Sequence, residues 1–275
     1  MKSLLPCIGV CVLLISCNPE KAEEICVPQS LQVASDSISF TYTDTRQLTA
    51  LQYFYNRNSR VNKRIDLTYN NGNLVTVTQT TLAFVTSPRL DVTFNLEYGS
   101  DGLPSKLTEL KTFAPNEKYV TEFTHDSNKR LVKAVRHVEG PAFDAPRHVG
   151  GYIYEYNGNG NVVKIKYLLP GSLGEIVEVV ARENITFDDR PVFYANSKDL
   201  AILNVYIYNY VPNVNNILTS KILWPSFDSF YSKPEDFSYT PTYDEKGRIQ
   251  SNSHTALAVA VFGELNFSLV TYACF

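Results

Sequence analysis

Few residues in this chain have the types and spacing that chemistry needs. His137 and His148 flank the first long loop, a Pro/Gly-rich connection, with Asp144 between them, a set that could ligate a transition metal. Glu175, Glu178 and Glu183 could pair as acid and base, as in glycoside hydrolysis, but nothing in the sequence gathers them in a cleft. Asn157–Asn161 reads NGNGN, which lacks the carboxylates of a calcium loop and is accounted for by Asn-Gly turn chemistry. The chain has no G-x-S-x-G elbow, no H-E-x-x-H and no phosphate-binding glycine loop. We therefore expect no catalytic residues, no metal and no cofactor. Two kinds of chemistry remain. Cysteines 17, 26 and 274 can be acylated or oxidised. The stretch 224–241 concentrates aromatics, including the only tryptophan, and carries three prolines. Trp224, Phe227, Phe230 and Tyr231 are the candidate ligand-binding residues, because aromatic faces stack against sugar rings or a partner protein. The competing expectation is that these rings plug an open end of the fold.

The first residues define a location rather than a fold. Met1-Lys2 is basic, residues 4–15 are mostly apolar, and Leu14-Ile15-Ser16-Cys17 follows. The apolar run is too short for a spanning helix, which needs about 20 residues, and reads as a secretory signal. The tetrapeptide resembles the lipobox of bacterial lipoproteins, which implies cleavage after Ser16 and lipidation of Cys17. Asn18–Glu24 is polar and acidic, resembling the surface-export signals of Bacteroidota lipoproteins. The resemblance implies an outer-membrane, surface-exposed protein whose membrane partner is reached through the lipid. Cys7 and Cys11 would leave with the signal. Cys26 and Cys274 then stand near the two ends, and in an oxidising compartment they are expected to pair; the alternative is two thiols that never meet.

The rest of the chain is built of strands. Charged residues make up 19%, and 18 Tyr and 15 Phe accompany many Val, Thr and Asn, a β composition. With a net charge of −3, nothing in the chain is basic enough to suggest nucleic acid, and no such partner is expected. An aromatic-turn unit recurs at Tyr42, Tyr69, Tyr98, His125, Tyr156, Phe187, Tyr210 and Tyr243, with spacings of 23 to 33 residues. Each interval holds two strands and two turns. In "YDEKGRI" from Tyr243, the aspartate caps the turn and Gly247 supplies the positive φ that a type I turn with a bulge requires. Lys129 occupies that glycine position after His125, so that turn is expected to be strained or differently built.

These units resemble the YD repeat of RHS-type proteins. Lipobox and repeats together resemble lipoprotein domain families of Bacteroidota for which no activity is established, so no site residues carry over. The expected fold is all-β, repeated antiparallel hairpins forming a long twisted meander curled into a roll or open barrel. The expected division is a signal over 1–16, a lipidated tether over 17–34 and one repeat-built domain over 35–275. Tyr152, Tyr154 and Tyr156, and likewise Tyr206, Tyr208 and Tyr210, alternate as half-buried strands do. Only 197–203 suggests a helix. The function expected is a binding or scaffold module for a glycan or another envelope protein, with a purely structural envelope component and an unrecognised hydrolase as alternatives.

Overall fold

The computed structural model describes residues 25–33, 36–54, 61–82, 88–171, 174–208, 211–223, 235–254 and 269–274. Its strands are β1 (Cys26–Val33), β2 (Asp36–Tyr42), β3 (Leu48–Phe54), β4 (Lys63–Asn70), β5 (Asn73–Thr81), β6 (Arg89–Tyr98), β7 (Pro104–Lys111) and β8 (Lys118–His125). They continue as β9 (Leu131–Glu139), β10 (Arg147–Tyr156), β11 (Val162–Pro170), β12 (Ile176–Pro191), β13 (Asn215–Ile222), β14 (Glu235–Tyr243), β15 (Ile249–His254) and β16 (Leu269–Cys274). Consecutive strands pair antiparallel, and β16 returns to pair with β1, which leaves β15 and β16 flanking the seam of a nearly closed barrel. Across that seam the Tyr272 hydroxyl donates to the Ile249 carbonyl at 2.8 Å, and Arg248 lies over the Tyr272 ring at 4.7 Å.

The repeat explains one rim of the barrel. The turns after Tyr42, Tyr98, His125, Tyr156 and Tyr243 share one five-residue construction, closed by two backbone hydrogen bonds. Its fourth residue takes positive φ: Arg46 at 66°, Gly102 at 77°, Lys129 at 63°, Gly160 at 82° and Gly247 at 75°. Asp126 and Asp244 cap their turns identically. Each accepts from two backbone amides through Oδ1 and from an arginine Nε through Oδ2, Arg130 and Arg248 respectively, at 2.7 to 2.9 Å. The Lys129 turn is thus built like the others, and the expected strain lies in the positive φ that Lys129 takes in place of glycine.

The repeat tyrosine has a further role. Tyr69 donates to the Leu48 carbonyl, Tyr98 to Leu74 and Tyr156 to Leu131, at 2.5, 2.7 and 2.6 Å. The acceptor is each time the residue paired with the preceding unit's aromatic, where the register shifts. Each of these three tyrosines therefore ties its own turn to the one before, whereas Tyr42 donates to the Pro28 carbonyl and Tyr243 to Asp188. Tyr272 makes the same bond to Ile249, the register partner of Tyr243.

A sixteen-stranded wall is too wide for its own side chains to fill. An insertion between β12 and β13 fills this rim instead. It contains α1 (Lys198–Ile202) and a π-helix (Leu203–Ile207). Leu200, Ile202, Leu203, Val205 and Ile207 are buried in one cluster with wall residues such as Leu48, Leu74, Leu131 and Val162. Ser197 caps α1 by accepting from the Leu200 amide at 3.3 Å. Asp199 accepts from the Leu48 amide at 3.1 Å, and the Tyr206 hydroxyl lies 2.9 Å from His125 Nε2. Asn161 accepts from the amides of Val214 and Asn215, and Asn213 from that of Val162. These buried asparagines staple the insertion to the wall with their hydrogen bonds satisfied.

Several expectations change here. Residues 26–33, placed in the tether, form β1, so the sheet begins nine residues before position 35. Phe187–Val192 does not reverse the chain. β12 runs on to Pro191 through three register shifts, and Asp188 spends its capping capacity on the Arg190 amide and on Asn216. Tyr206 is not in a strand: in the π-helix it packs edge-on against Phe123 with centroids 5.0 Å apart. The insertion is packed against the inner side chains of the wall, and helical hydrogen bonds satisfy its buried backbone. Tyr210, Cys17 and the 255–268 stretch lie outside the described residues.

Candidate ligand-binding site

Register and parity separate the two faces of the wall. Outward positions carry ion pairs: Arg64–Asp66, Lys106–Glu97, Lys166–Glu155 and Lys164–Glu183, at 2.6 to 3.5 Å. Inward positions carry the apolar core. A barrel that spans a bilayer has the reverse distribution, and each outward Lys or Arg would cost about 2–4 kcal/mol at mid-membrane. This wall is built to face water.

The inward face changes character along the barrel. On β7 it runs from Leu107 to Glu109 to Lys111, on β8 from Phe123 to Thr121 to Tyr119, and on β9 from Ala134 to Arg136. The apolar end is the plugged rim; the charged end lies toward the opposite, distal rim. There the residues converge. Lys111 Nζ lies 4.1 Å from the centroid of the Tyr119 ring and Arg136 Cζ lies 4.8 Å from it. Glu109 bridges both cations, at 3.3 Å to Lys111 and 2.5 Å to Arg136. Tyr119 donates to Glu117 at 3.2 Å, and burial together with that carboxylate pushes its hydroxyl pKa up. Lys111 Nζ also stands 5.8 Å from the centroid of Phe113, which is 79% exposed in the β7–β8 loop.

The wall leaves room at this point. Arg136 is the register partner of Gly150, which offers no side chain, and its own side chain keeps 34% of its surface although it points inward. Its Nε is buried without a hydrogen-bond partner among the described residues. Farther round the lumen, Lys63 lies 5.6 Å from the Tyr53 centroid, and burial holds its pKa below the usual lysine value. Arg182 is buried with its guanidinium 5.8 Å from the Tyr239 centroid. Cations beside tyrosine rings recur in both halves of the barrel, as Arg130 over Tyr156 and Arg248 over Tyr272 at the plugged rim also show.

A second concavity opens at the plugged rim, a cleft of ≈ 310 Å³ whose lining includes Tyr98, Leu131, Tyr156, Ile202 and Tyr206. The hydroxyls of its three tyrosines are already engaged, with Leu74, Leu131 and His125 respectively.

The residues singled out from sequence are dispersed. Trp224, Phe227, Phe230 and Tyr231 lie outside the described residues; the strands flanking their segment end at the distal rim, where Ile222 pairs with Glu235. His137 and His148 are cross-strand partners, but His137 contacts Glu139 at 3.1 Å and His148 the Leu168 carbonyl at 3.3 Å, and no third metal ligand joins them among the described residues. Glu178 and Glu183 face lysines on the outer wall. Cys26 and Cys274 are register partners at the plugged rim, with sulfurs 2.09 Å apart, the distance of a disulfide.

No protein-family model and no curated protein matches the chain. Solved structures do. A porin-like protein from Bacteroides uniformis shares 13% identity over 92% of this chain and 98% of its own, with a TM-score of 0.51. That likeness is one of fold. The Photorhabdus luminescens Tc holotoxin pore matches 84% of this chain with 9% of its own length, at 15% identity and a TM-score of 0.33. The TcdB2-TccC3 structure matches 86% with 10% of its own, at 14% identity and 0.34. The chain spans about a tenth of these toxin proteins, at scores short of a shared fold.

Proposed function

We propose that the chain is an outer-membrane lipoprotein anchored through Cys17 whose distal rim binds a glycan or an envelope protein. One observation carries the reading. The first described strand enters the barrel at the plugged rim, where Cys26 sits beside Cys274. The tether between Cys17 and Cys26 reaches at most about 30 Å when fully extended. A lipid at Cys17 would therefore hold the plugged rim toward the membrane, and the cluster of Phe113, Lys111, Tyr119 and Arg136 would face away from it. The charged outer wall supports a barrel that stands beside the bilayer rather than within it.

The test is fractionation of cells expressing the full chain and its Cys17→Ser variant. The wild type should enter the membrane fraction and take up labelled fatty acid, and the variant should do neither. Equal behaviour of the two would sink the anchoring.

A further inference from the structure

We propose that the distal cluster is a site for an acidic oligosaccharide, its anionic group held by Lys111 and Arg136 and a sugar ring laid on Phe113. The inference deepens the binding reading above and rests on it. Lys111 and Arg136 share one carboxylate, Glu109, while the other carboxylate of the cluster, Glu117, accepts from the Tyr119 hydroxyl, so the two cations divide a single ion-pair partner. Both cations are held against one tyrosine ring, which fixes their positions before a ligand arrives and lowers the ordering cost of binding. Arg136 keeps 34% of its side-chain surface accessible, and Gly150 opposite it leaves the wall bare.

Phe113 supplies the second half of the site. A large apolar ring that is 79% exposed at a rim contributes nothing to the core and offers a face for C–H stacking. Lys111 lies between this ring and Tyr119, 5.8 and 4.1 Å from the two centroids. A pyranose resting on Phe113 would thus direct a carboxylate or sulfate substituent to Lys111, and the next anionic sugar toward Arg136. An acidic peptide could satisfy the cations, but it would not need the exposed ring beside them.

Titration calorimetry of the full chain in detergent at low salt tests this, with oligogalacturonate, a neutral maltooligosaccharide, dextran sulfate and polyglutamate as probes. Oligogalacturonate or dextran sulfate should bind, the preferred one naming the anion, and the neutral sugar should not. Phe113→Ala should weaken binding roughly tenfold with an unchanged melting temperature, since the ring is exposed. Lys111→Met should weaken it similarly. Polyglutamate binding as tightly as the saccharide, or an unaffected Phe113→Ala variant, would overturn the site, as would a wild type that binds neither acidic saccharide. Membrane fractionation with no saccharide binding would refute this inference alone. Saccharide binding by a protein that never carries lipid would refute the anchoring alone.

Discussion

The hydroxyl of Tyr98 donates to the carbonyl of Leu74 at 2.7 Å, which joins the turn of one hairpin to the turn before it. Tyr98→Phe removes that donor and leaves a carbonyl at the edge of the core with one acceptor site unused. We expect a loss of about 1 kcal/mol, which in a domain of this size lowers the melting temperature by roughly 2–4 °C. Calorimetric melting checks this, and an unchanged midpoint would mean that water replaces the hydroxyl at no cost.

The left-handed turn residues give a prediction of opposite sign. Lys129 and Arg46 hold φ of 63° and 66° at positions where three sister turns use glycine. The left-handed region costs a residue with a Cβ about 1 kcal/mol. Lys129→Gly should therefore stabilise by roughly 0.5–1 kcal/mol, less the entropy glycine adds to the unfolded chain. Gly247→Ala should destabilise by about 1 kcal/mol through its φ of 75°, since Arg190 Nη1, which an added Cβ would meet at 2.7 Å, ends an exposed flexible side chain that can move aside. Urea midpoints at a constant slope measure both.

The tyrosines also fix a pH dependence. Burial pushes the Tyr98 and Tyr206 hydroxyls up to about 12 from an ordinary value of 10.0. A folded-state pKa above the unfolded one means that the folded chain holds the proton longer. Stability from these groups is therefore complete below pH 10 and is lost as pH rises toward 12. Denaturant titrations between pH 8 and pH 12 should show a steep decline beginning near 10, which Tyr98→Phe should make shallower.

The Cys26–Cys274 link spans 248 residues of sequence. Chain-entropy reasoning puts the closure of such a loop at roughly 5 kcal/mol, an upper figure. Cys274→Ser should lower the melting temperature under oxidising conditions and make it insensitive to reductant. A wild-type melting temperature that reductant does not change would show that β1 and β16 are held by pairing and packing alone.

Much of the wall is legible in the chain, because the aromatic-turn unit encodes where each hairpin reverses. The same unit hides two things. Tyr272 belongs to the series through its bond to Ile249, yet Ala273 and Cys274 after it carry none of the Asp, Asn or Gly signals of the other turns, so its role is visible only in the seam. Tyr206 and Tyr208 alternate as strand residues do, but the wide barrel needs a plug, and that tertiary demand overrides local spacing. The distal cluster was unreadable for another reason. In β7 both faces carry charge, Lys106 outward and Glu109 and Lys111 inward, so alternation alone cannot tell lumen from solvent. The core contacts of Leu107 and Phe123 decide which parity faces in.

The central claim is that the barrel stands on its plugged rim and offers its distal rim to ligand. Energy transfer to a bilayer dye, in vesicles bearing the lipidated protein, measures this directly. One fluorophore would sit on Glu245→Cys, in the exposed turn of the plugged rim, and another on Asn116→Cys, in the exposed loop beside Phe113. Transfer should be stronger from position 245 than from position 116. Equal transfer, or stronger transfer from 116, would contradict the orientation and remove the reason for assigning the ligand to the distal rim.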